Sequence, residues 1–515
     1  MKFLPFLFFL LDGVAMGKKI IVLSPLLSGQ LGEAAGICDA LIKNGHEVYI
    51  VTEEHVKYPR QLKHVTGLKY LHFRSPDKEI LAPTNLENKL AEFVFDEVDI
   101  ITVMKKMGVQ TIGNYFGECL LNDTDLMKTV KELNFDFAIF DSMMPFLGVI
   151  PHVADIPYAS WSPLLMPLRM NLAPLTGFEP CDLYGDRNTF LNRVKHVFRA
   201  IVIQNIPYFI SPDAKFVELI RDNYPSRALK RSLSEIVSNS KFFILNTNNL
   251  IDCPAPRKPD VIYAGGLSVR PPKPLSKEVE EIVQAANDGI IVFTLGSVIS
   301  KMPNNVLAKF IDAFKKVKQT VFWRLTLRDD QKHTVFPSNV RIMEWLPQND
   351  LLSHPKTRLF ISHSGANGQA EALYHGVPVI CFPLLNNDQV YNAKRFVSRG
   401  YGLELNIRTF KSDDLFSAIN EILINPQYKN KIQRSSKMFK ASGLSSKVVA
   451  EMVDHVLEFG VEHLKTAGDQ MEWYQFYMID LLIIFFLTGL ISIYISYRIA
   501  VKAFRCCFNK KKKTE

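Results

Sequence analysis

The chain of 515 residues is 47% hydrophobic and 22% charged, which is globular material long enough for two large domains. The formal net charge of +9 comes mostly from the C-terminal end, because residues 498–515 carry seven Lys or Arg against one Glu. Residues 16–497 hold 53 basic and 50 acidic side chains, a balance too even for a body that binds nucleic acid.

The first fifteen residues have the pattern of a secretory signal peptide. Lys2 supplies a positive start, Phe3–Leu11 an apolar run, and Gly13-Val14-Ala15 a small-residue cleavage site. The alternative is a buried N-terminal strand. We interpret residues 1–15 as the signal, which predicts that the mature chain enters a secretory compartment.

The N-terminal half begins with a strand–helix–strand pattern typical of a doubly wound α/β sheet. The helix ends at Gly45-His46, and a later buried strand ends at Asp141. The predicted elements are the strands Lys18–Leu26, Glu47–Thr52 and Phe135–Phe140 and the helix Glu33–Asn44.

The middle of the chain carries weaker signals. From about residue 161 to 231 it is rich in Pro, Met and aromatic residues and indicates no particular ligand. Asn122-Asp123-Thr124 is the only acceptor sequence for N-glycosylation and suits a secreted protein. The cysteines before the C-terminal end lack metal-ligand spacing, and we expect most to be packed thiols (Cys38, Cys119, Cys181, Cys253 and Cys381).

A second doubly wound unit follows a proline-rich linker. We interpret Ile262–Leu267 and Arg270–Pro274 as that linker. Ser297 follows the first strand of the new unit, so we expect it at the carboxyl edge of the sheet, where ligands bind. The predicted elements are the strands Ile290–Thr294 and Thr320–Arg324 and the helices Asn304–Val317, Asp413–Leu423 and Lys447–Phe459.

The most informative stretch is 345–389, which contains another strand–turn–helix–strand unit. The strand Thr357–Ser362 leads into His363 and a small-residue turn, Ser364–Gly368. The helix Gln369–Tyr374 and the buried strand Val377–Phe382 follow. A glycine turn that enters a helix presents free N–H groups and the positive end of the helix dipole, so it attracts phosphate.

Side chains suited to the rest of a nucleotide sugar surround this turn. Trp345 offers a flat face for a base, and Glu371 could accept hydrogen bonds from ribose hydroxyls. Asp388 and Gln389, just past the last strand, could hold sugar hydroxyls.

A membrane anchor is expected near the C-terminus. Leu481–Tyr497 has no charge over 17 residues, which spans about 26 Å as a helix. Arg498 and Lys502 follow at once, so the positive-inside rule places the tail in the cytosol and the rest of the chain in the lumen. Lys512 and Lys513 match a dilysine signal for retrieval to the endoplasmic reticulum; the alternative is an anchor for anionic lipid.

The 345–389 stretch resembles the signature of the UDP-glycosyltransferase family, specifically the membrane-bound UDP-glucuronosyltransferases of animals. The resemblance extends from about Lys18 to Lys513. The residues that match the signature are Trp345, Gln348, His363, Gly365, Gly368, Glu371, Asp388 and Gln389.

The resemblance implies a GT-B fold, in which two Rossmann-like domains face each other across a cleft. The expected boundaries are 16–270 for the acceptor-binding domain, 271–470 for the UDP-sugar-binding domain, 477–499 for the transmembrane helix and 500–515 for the tail. It also implies an inverting transfer from a UDP-sugar to a small lipophilic acceptor. His363, Ser297 and the N–H groups at Asn367 and Gly368 would neutralise the departing diphosphate, with the UDP-sugar as co-substrate and no cofactor or metal.

One position departs from the family. Family members carry a catalytic His sixteen residues before the His of a Gly-His-acidic segment, and an Asp, matched here by Asp141, orients it. Counting back from His46 gives Gln30, a neutral amide that cannot act as a base. Three interpretations stay open: acceptors that need no base, proton removal by Asp141 itself, or a weakened homologue that binds UDP-sugar or pairs with active members.

The identity of the sugar also stays open. Vertebrate glucuronosyl members carry a basic residue where this chain has Ala255, after Pro254, with Arg257 two residues on. Glucuronate from UDP-glucuronic acid is the first expectation and glucose from UDP-glucose the second. Membrane lipid is an expected partner, nucleic acid is not, and an oligomer with itself or with other members is left open.

Overall fold

The computed structural model describes residues 17–25, 28–56, 59–76, 94–95, 109–162, 190, 214–230, 232–252, 257–296, 299, 301–384, 388–476 and 478–511. Several predictions from the sequence lie outside these residues. They concern the signal peptide, Ser297, Pro254-Ala255, Cys181, Cys253, and Lys512 and Lys513.

The N-terminal domain is built on a parallel sheet of seven strands in the order β3-β2-β1-β4-β5-β6-β7. The strands are short and almost wholly apolar, as expected for a parallel sheet covered on both faces. Their bounds are β1 Lys19–Leu23, β2 Glu47–Glu53, β3 Lys69–Phe73, β4 Phe137–Asp141, β5 Tyr158–Ser162, β6 Phe243–Leu245 and β7 Val261–Tyr263. The helices described here are α1 Ser28–Lys43, α2 Val109–Asn122, α3 Thr124–Leu133, α4 Val149–Val153, α5 Ala214–Asn223 and α6 Ser234–Ser238.

Helix α1 begins at Ser28, so the predicted start at Glu33 was wrong by five residues. The sequence from Ser28 to Gly32 is rich in small residues and favours a turn, but in the structure these residues are helical. Small residues are needed because the helix lies against the loop after β7: a Cβ on Gly36 would approach the Leu267 carbonyl oxygen to 1.9 Å. The first turn of α1 therefore carries Gln30 at the carboxyl edge of the sheet.

The C-terminal domain repeats the design with a parallel sheet of six strands in the order β10-β9-β8-β11-β12-β13. The strands are β8 Ile290–Thr294, β9 Thr320–Arg324, β10 Val340–Met343, β11 Thr357–Ser362, β12 Val379–Cys381 and β13 Gly402–Glu404. The helices are α7 Lys277–Ala285, α8 Asn304–Phe314, α9 Gln348–Ser353, α10 Ala366–His375, α11 Asp388–Ser398, α12 Ser412–Ile424 and α13 Pro426–Ala441. Each sheet separates two hydrophobic clusters, one on each face.

The link between the domains begins later than the sequence indicated. Val261–Tyr263 forms β7, the edge strand of the first sheet, so Ile262 and Tyr263 do not belong to the linker. A three-residue edge strand is too short to show a period in the sequence. Beyond it, Arg270 is held to the second domain by paired hydrogen bonds of 2.9 and 2.8 Å to the Asp350 carboxylate.

The chain returns to the N-terminal domain at its end. Helix α14 (Ser445–Phe459) packs Val449, Ala450 and Val453 into the hydrophobic cluster that contains α1. Asp454 of this helix accepts a hydrogen bond of 2.8 Å from Asn44 and pairs with His46 at 2.6 Å. The two domains are thus joined both by the linker and by this returning segment.

A long apolar helix follows the two domains. After the short helix α15 (Trp473–Phe476), helix α16 runs from Ile479 to Lys511. Its segment Ile479–Arg505 is the one helix among the described residues that is long and apolar enough to cross a membrane, by length and composition. It contains the predicted span Leu481–Tyr497.

Candidate active site

His363 lies between the ends of two adjacent strands of the second sheet. It follows β11 directly, and the turn after β8 passes over its ring. The ring is enclosed so closely that a Cβ on Gly296 or on Gly365 would approach it to 2.6 or 2.5 Å. Its Nδ1 is buried and has no hydrogen-bond partner within the described part of the chain. An orphaned polar atom of this kind suits contact with a ligand.

The His363 imidazole is neutral at physiological pH. Burial is the main cause that lowers its pKa to about 4, and the nearby Arg324 guanidinium lowers it further. Arg324 ends β9 and donates a hydrogen bond to the Gly296 carbonyl oxygen. Sequence reasoning overlooked Arg324 as a site residue, although a charged residue that ends a buried strand is a usable signal.

The turn after His363 leads into helix α10, where the sequence predicted an anion site. Ser364 has a φ of 68°, a strained conformation for a residue other than glycine. Gly365 is the N-cap, and α10 begins at Ala366 rather than at the predicted Gln369, because Asn367 and Gly368 already belong to the first helical turn. The N–H groups of that turn have no acceptor within the helix, so they are available to an anion.

Trp345 is 38% exposed at the rim of this site. Two guanidinium groups lie over its indole ring, Arg60 from the N-terminal domain at 5.0 Å and Arg324 at 5.4 Å from the ring centroid. The ring that we expect to stack on a base therefore lies where the two domains meet.

Glu371 and Gln348 form a second polar pair on α10 and α9. Gln348 donates a hydrogen bond of 2.5 Å to Glu371 Oε2. Burial is the main cause that raises the pKa of the Glu371 carboxyl to about 7, and the Gln348 bond opposes this shift. A carboxyl group that titrates near neutrality suits contact with ribose hydroxyls in its ionised form.

Asp388 and Gln389 begin helix α11, as expected from their place after β12. Burial raises the pKa of the Asp388 carboxyl to about 6. The Gln389 side-chain oxygen accepts a hydrogen bond of 2.9 Å from Leu384 N.

The opposite wall of the cleft is formed by the N-terminal domain. Asp141 ends β4, is fully buried, and accepts a hydrogen bond of 2.8 Å from Met143 N. Gln30 lies in the first turn of α1. Across the cleft, Asn367 of α10 donates a hydrogen bond of 3.0 Å to the Gly29 carbonyl oxygen. The first turns of α1 and α10 are thus in direct contact.

Glu33 is a site residue that sequence reasoning missed. Its side chain is 2% exposed and lies near Asp141, Asn246, Asn367 and Trp161. A sequence pattern cannot show this burial, because Asn367 is 334 residues away along the chain. A Glu between alanines and glycines is ordinarily a solvated helix residue.

Comparison with known proteins identifies the family. A family model described as UDP-glucoronosyl and UDP-glucosyl transferase matches residues 19–514. The chain belongs to this family. It is therefore a UDP-glycosyltransferase, as the signature at 345–389 predicted.

Full-length relatives support the assignment of this UDP-glycosyltransferase. It is 29% identical over 494 residues to UDP-glucuronosyltransferase 1A1 of Mus musculus, covering 92% of this chain and 89% of the relative. It is 31% identical over 403 residues to UDP-glucuronosyltransferase 1A5 of Rattus norvegicus, covering 76% of this chain and 74% of the relative. The apolar helix α16 fits a membrane-anchored enzyme of this kind.

Solved structures share the fold of this UDP-glycosyltransferase. The spinosyn forosaminyltransferase SpnP has a TM-score of 0.59 at 17% identity, covering 86% of this chain and all of its own. The calicheamicin glycosyltransferase CalG4 has a TM-score of 0.57 at 14% identity, covering 86% of this chain and 99% of its own. The GT-B architecture expected from the sequence is confirmed.

Proposed function

We propose that this UDP-glycosyltransferase moves a sugar from a UDP-sugar to a small lipophilic acceptor with inversion at the anomeric carbon. The observation that supports the proposal is the candidate anion site. There the first turn of α10 contacts Gly29 of α1 through Asn367 and follows His363, whose buried Nδ1 has no partner among the described residues. The N–H groups and the helix dipole would stabilise the negative charge that develops on the departing diphosphate.

Glucuronate is the first sugar we propose, with UDP-glucuronic acid as donor. The support is that the similar full-length proteins are named UDP-glucuronosyltransferases. The absence of a basic residue at Ala255 keeps UDP-glucose as the second donor to be tested.

The range of acceptors follows from Gln30. An amide at this position cannot take a proton from an alcohol. Unless another side chain acts as the base, we therefore expect amines, ionised phenols and carboxylates to react more readily than aliphatic alcohols. Asp141 is an alternative proton acceptor. Asp141 is fully buried, and one of its carboxyl oxygens already accepts a hydrogen bond from Met143 N.

The test uses the full-length chain in microsomes with UDP-glucuronic acid or UDP-glucose and a panel of amines, phenols and alcohols. We expect UDP release together with a product whose anomeric configuration is opposite to that of the donor. The matched control is His363→Ala, which should lose UDP affinity and turnover together. UDP binding without turnover of any acceptor would instead identify a weakened homologue, and a chain that does not bind UDP would contradict the donor site.

We further propose a single-pass protein of the endoplasmic reticulum membrane, with both domains in the lumen and Lys512 and Lys513 as the retrieval signal. Asn122 supports the lumenal orientation, because it is exposed at the end of α2 where a glycan could be attached. Protection of the two domains from protease in intact microsomes tests this orientation.

A further inference from the structure

Glu33 occupies a place from which it could reach the acceptor. It lies three residues after Gln30 on α1, so the two side chains project from the same face of the helix, one turn apart. Gln30 is the position at which the family carries its base. The Glu33 side chain is 2% exposed, and its Oε2 has no hydrogen-bond partner within the described part of the protein.

Four side chains from four different segments surround the Glu33 carboxyl group. Asp141 at the end of β4 is the charged one, and the polar ones are Trp161 of β5, Asn246 after β6 and Asn367 of α10. Asn367 belongs to α10 of the C-terminal domain and the other three to the N-terminal domain, so the Glu33 carboxyl group is enclosed from both domains. A buried carboxyl group where the two domains touch is a candidate for proton transfer with an acceptor that binds between them.

The same surroundings make Glu33 a stronger base than an ordinary carboxylate. Burial is the largest cause that raises its pKa to about 8, and the Asp141 charge adds to it, while Asn246, Asn367 and Trp161 lower it by less. Two neighbouring carboxyl groups with one charge between them are a usual arrangement for holding a single exchangeable proton. One Asp141 carboxyl oxygen already accepts a hydrogen bond of 2.8 Å from Met143 N, whereas Glu33 Oε2 has no partner among the described residues.

We propose that Glu33 is the catalytic base of this enzyme. It replaces the histidine that the family carries at the position of Gln30, one helical turn earlier on α1. The acceptor oxygen forms the new bond to the anomeric carbon, and its proton passes to a Glu33 carboxylate oxygen. The bond from the anomeric carbon to the β-phosphate oxygen breaks, and its electron pair leaves with UDP.

Access to Glu33 depends on the contact between the domains. Asn367 covers the carboxyl group while its side chain donates to the Gly29 carbonyl oxygen and accepts from Asn246 at 3.4 Å. The proposal requires this contact to open when substrates bind, so that the acceptor can reach Glu33. The inference rests on the proposed transferase function.

The test compares Glu33→Gln with Glu53→Gln in the full-length microsomal enzyme. Glu53 is the matched control because it is also 2% exposed, but it binds His55 at the end of β2. We expect Glu33→Gln to lower kcat for hydroxyl acceptors by roughly 100- to 1000-fold, as for loss of a general base. The UDP affinity, measured by calorimetry, and the donor KM should change by less than about threefold, because no donor contact is removed.

The pH profile separates a base from a structural residue. For the wild-type enzyme, kcat for alcohols should rise as the pH increases through about 8, because only the ionised carboxylate accepts the proton. This rise should be absent in Glu33→Gln and present in Glu53→Gln. The double variant Glu33→Gln with Gln30→His should regain alcohol turnover, with the rise shifted to lower pH.

A Glu33→Gln enzyme that keeps both kcat and the rise near pH 8 would overturn the inference while leaving the transferase function intact. If Glu33→Gln does not fold, the pH dependence of kcat is measured for Glu33→Asp and for the wild-type enzyme. A wild-type kcat that is flat from pH 6 to 9 overturns the inference. Loss of UDP binding by the wild type is a different result and would contradict the proposed function itself.

Discussion

The two walls of the cleft do their work with different parts of the chain. The donor wall uses the backbone: the N–H groups of α10 and the glycine turns that enclose His363. The acceptor wall uses titratable side chains, Asp141 at a strand end and Glu33 on α1. The sequence of the first wall resembles the family signature, whereas in the second wall Gln30 stands where that resemblance predicts a histidine.

The difference between the two walls shows which kind of functional group can be supplied from another position in the sequence. An anion site built from backbone N–H groups requires one particular turn geometry, so it cannot be formed by residues at other positions of the chain. A proton acceptor needs only a basic atom within reach of the substrate, and a neighbouring position on the same helix face can supply it. Three substitutions test this contrast.

The largest expected effect is on the donor wall. Gly296→Ala places a Cβ at 2.6 Å from the His363 ring, so the ring must shift away from the anion site. We expect UDP affinity and kcat/KM to fall by roughly 100-fold, as for loss of a donor to developing charge. Calorimetry with UDP and initial-rate kinetics measure the two effects.

Gly45→Ala is the matched control for that substitution. Gly45 has a φ of 93°, close to the 90° of Gly296, but a Cβ there would meet nothing within 4 Å. It should lose about 1 kcal/mol of stability from backbone strain and keep normal turnover. Equal losses of activity in both variants would show that strain, rather than the displaced imidazole, is responsible.

A smaller effect is expected from Glu371→Gln. The raised pKa of Glu371, about 7, means that its carboxyl ionises as the pH increases from 6 to 8, and the ionised form accepts hydrogen bonds more strongly. The wild-type donor KM should therefore fall over this range. In the variant we expect a KM about tenfold higher at pH 8 and no pH dependence.

Glu404→Gln is the control for Glu371→Gln. Burial also raises the pKa of the Glu404 carboxyl, but this residue ends the edge strand β13. The donor KM of the Glu404→Gln enzyme should show the same pH dependence as that of the wild type. A Glu371→Gln enzyme that still shows this dependence would assign the titration to another group, of which Asp388 is the first to examine.

The smallest expected effect is on stability, at Glu33. Its pKa is raised from 4.5 to about 8 on folding, so between these values the folded state binds more protons than the unfolded state. Stability therefore falls as the pH increases through this window, and Glu33→Gln removes the loss. We expect the variant to gain roughly 2 to 6 °C in Tm at pH 8 and much less at pH 5.5.

Scanning calorimetry of the detergent-solubilised enzyme measures this difference. A gain of equal size at both pH values would indicate better packing of the amide rather than removal of a buried acid. A stability gain at pH 8 together with a loss of kcat would show that the acceptor wall keeps a destabilising group for its chemistry.

The sequence predicted the regular core of both domains well. The strands β8, β9 and β11 have the bounds that their apolar runs indicated, because a buried parallel strand is a continuous hydrophobic run between turn residues. The helix starts were less accurate: α1 and α10 begin with Ser, Gly, Ala and Asn, which favour turns unless tertiary contacts hold them.

The candidate site divides in the same way. His363, Trp345 and Glu371 could be placed from local order alone, since one strand–turn–helix unit carries most of the donor wall. Glu33 could not, because its burial and basicity depend on Asp141 and Asn367, which are distant in sequence. Contacts between distant segments leave no periodic trace in a single sequence.

The return of α14 to the first domain has a consequence for how the cleft can open. Two separate stretches of backbone, residues 264–270 and the entry to Ser445, bridge the domains side by side. We expect these two neighbouring connections to allow rotation of the domains about the line between them and to oppose twisting or sliding. Since α16 follows soon after α14, the candidate membrane span is connected to the N-terminal domain, and we expect the C-terminal domain to be the one that moves when the cleft opens.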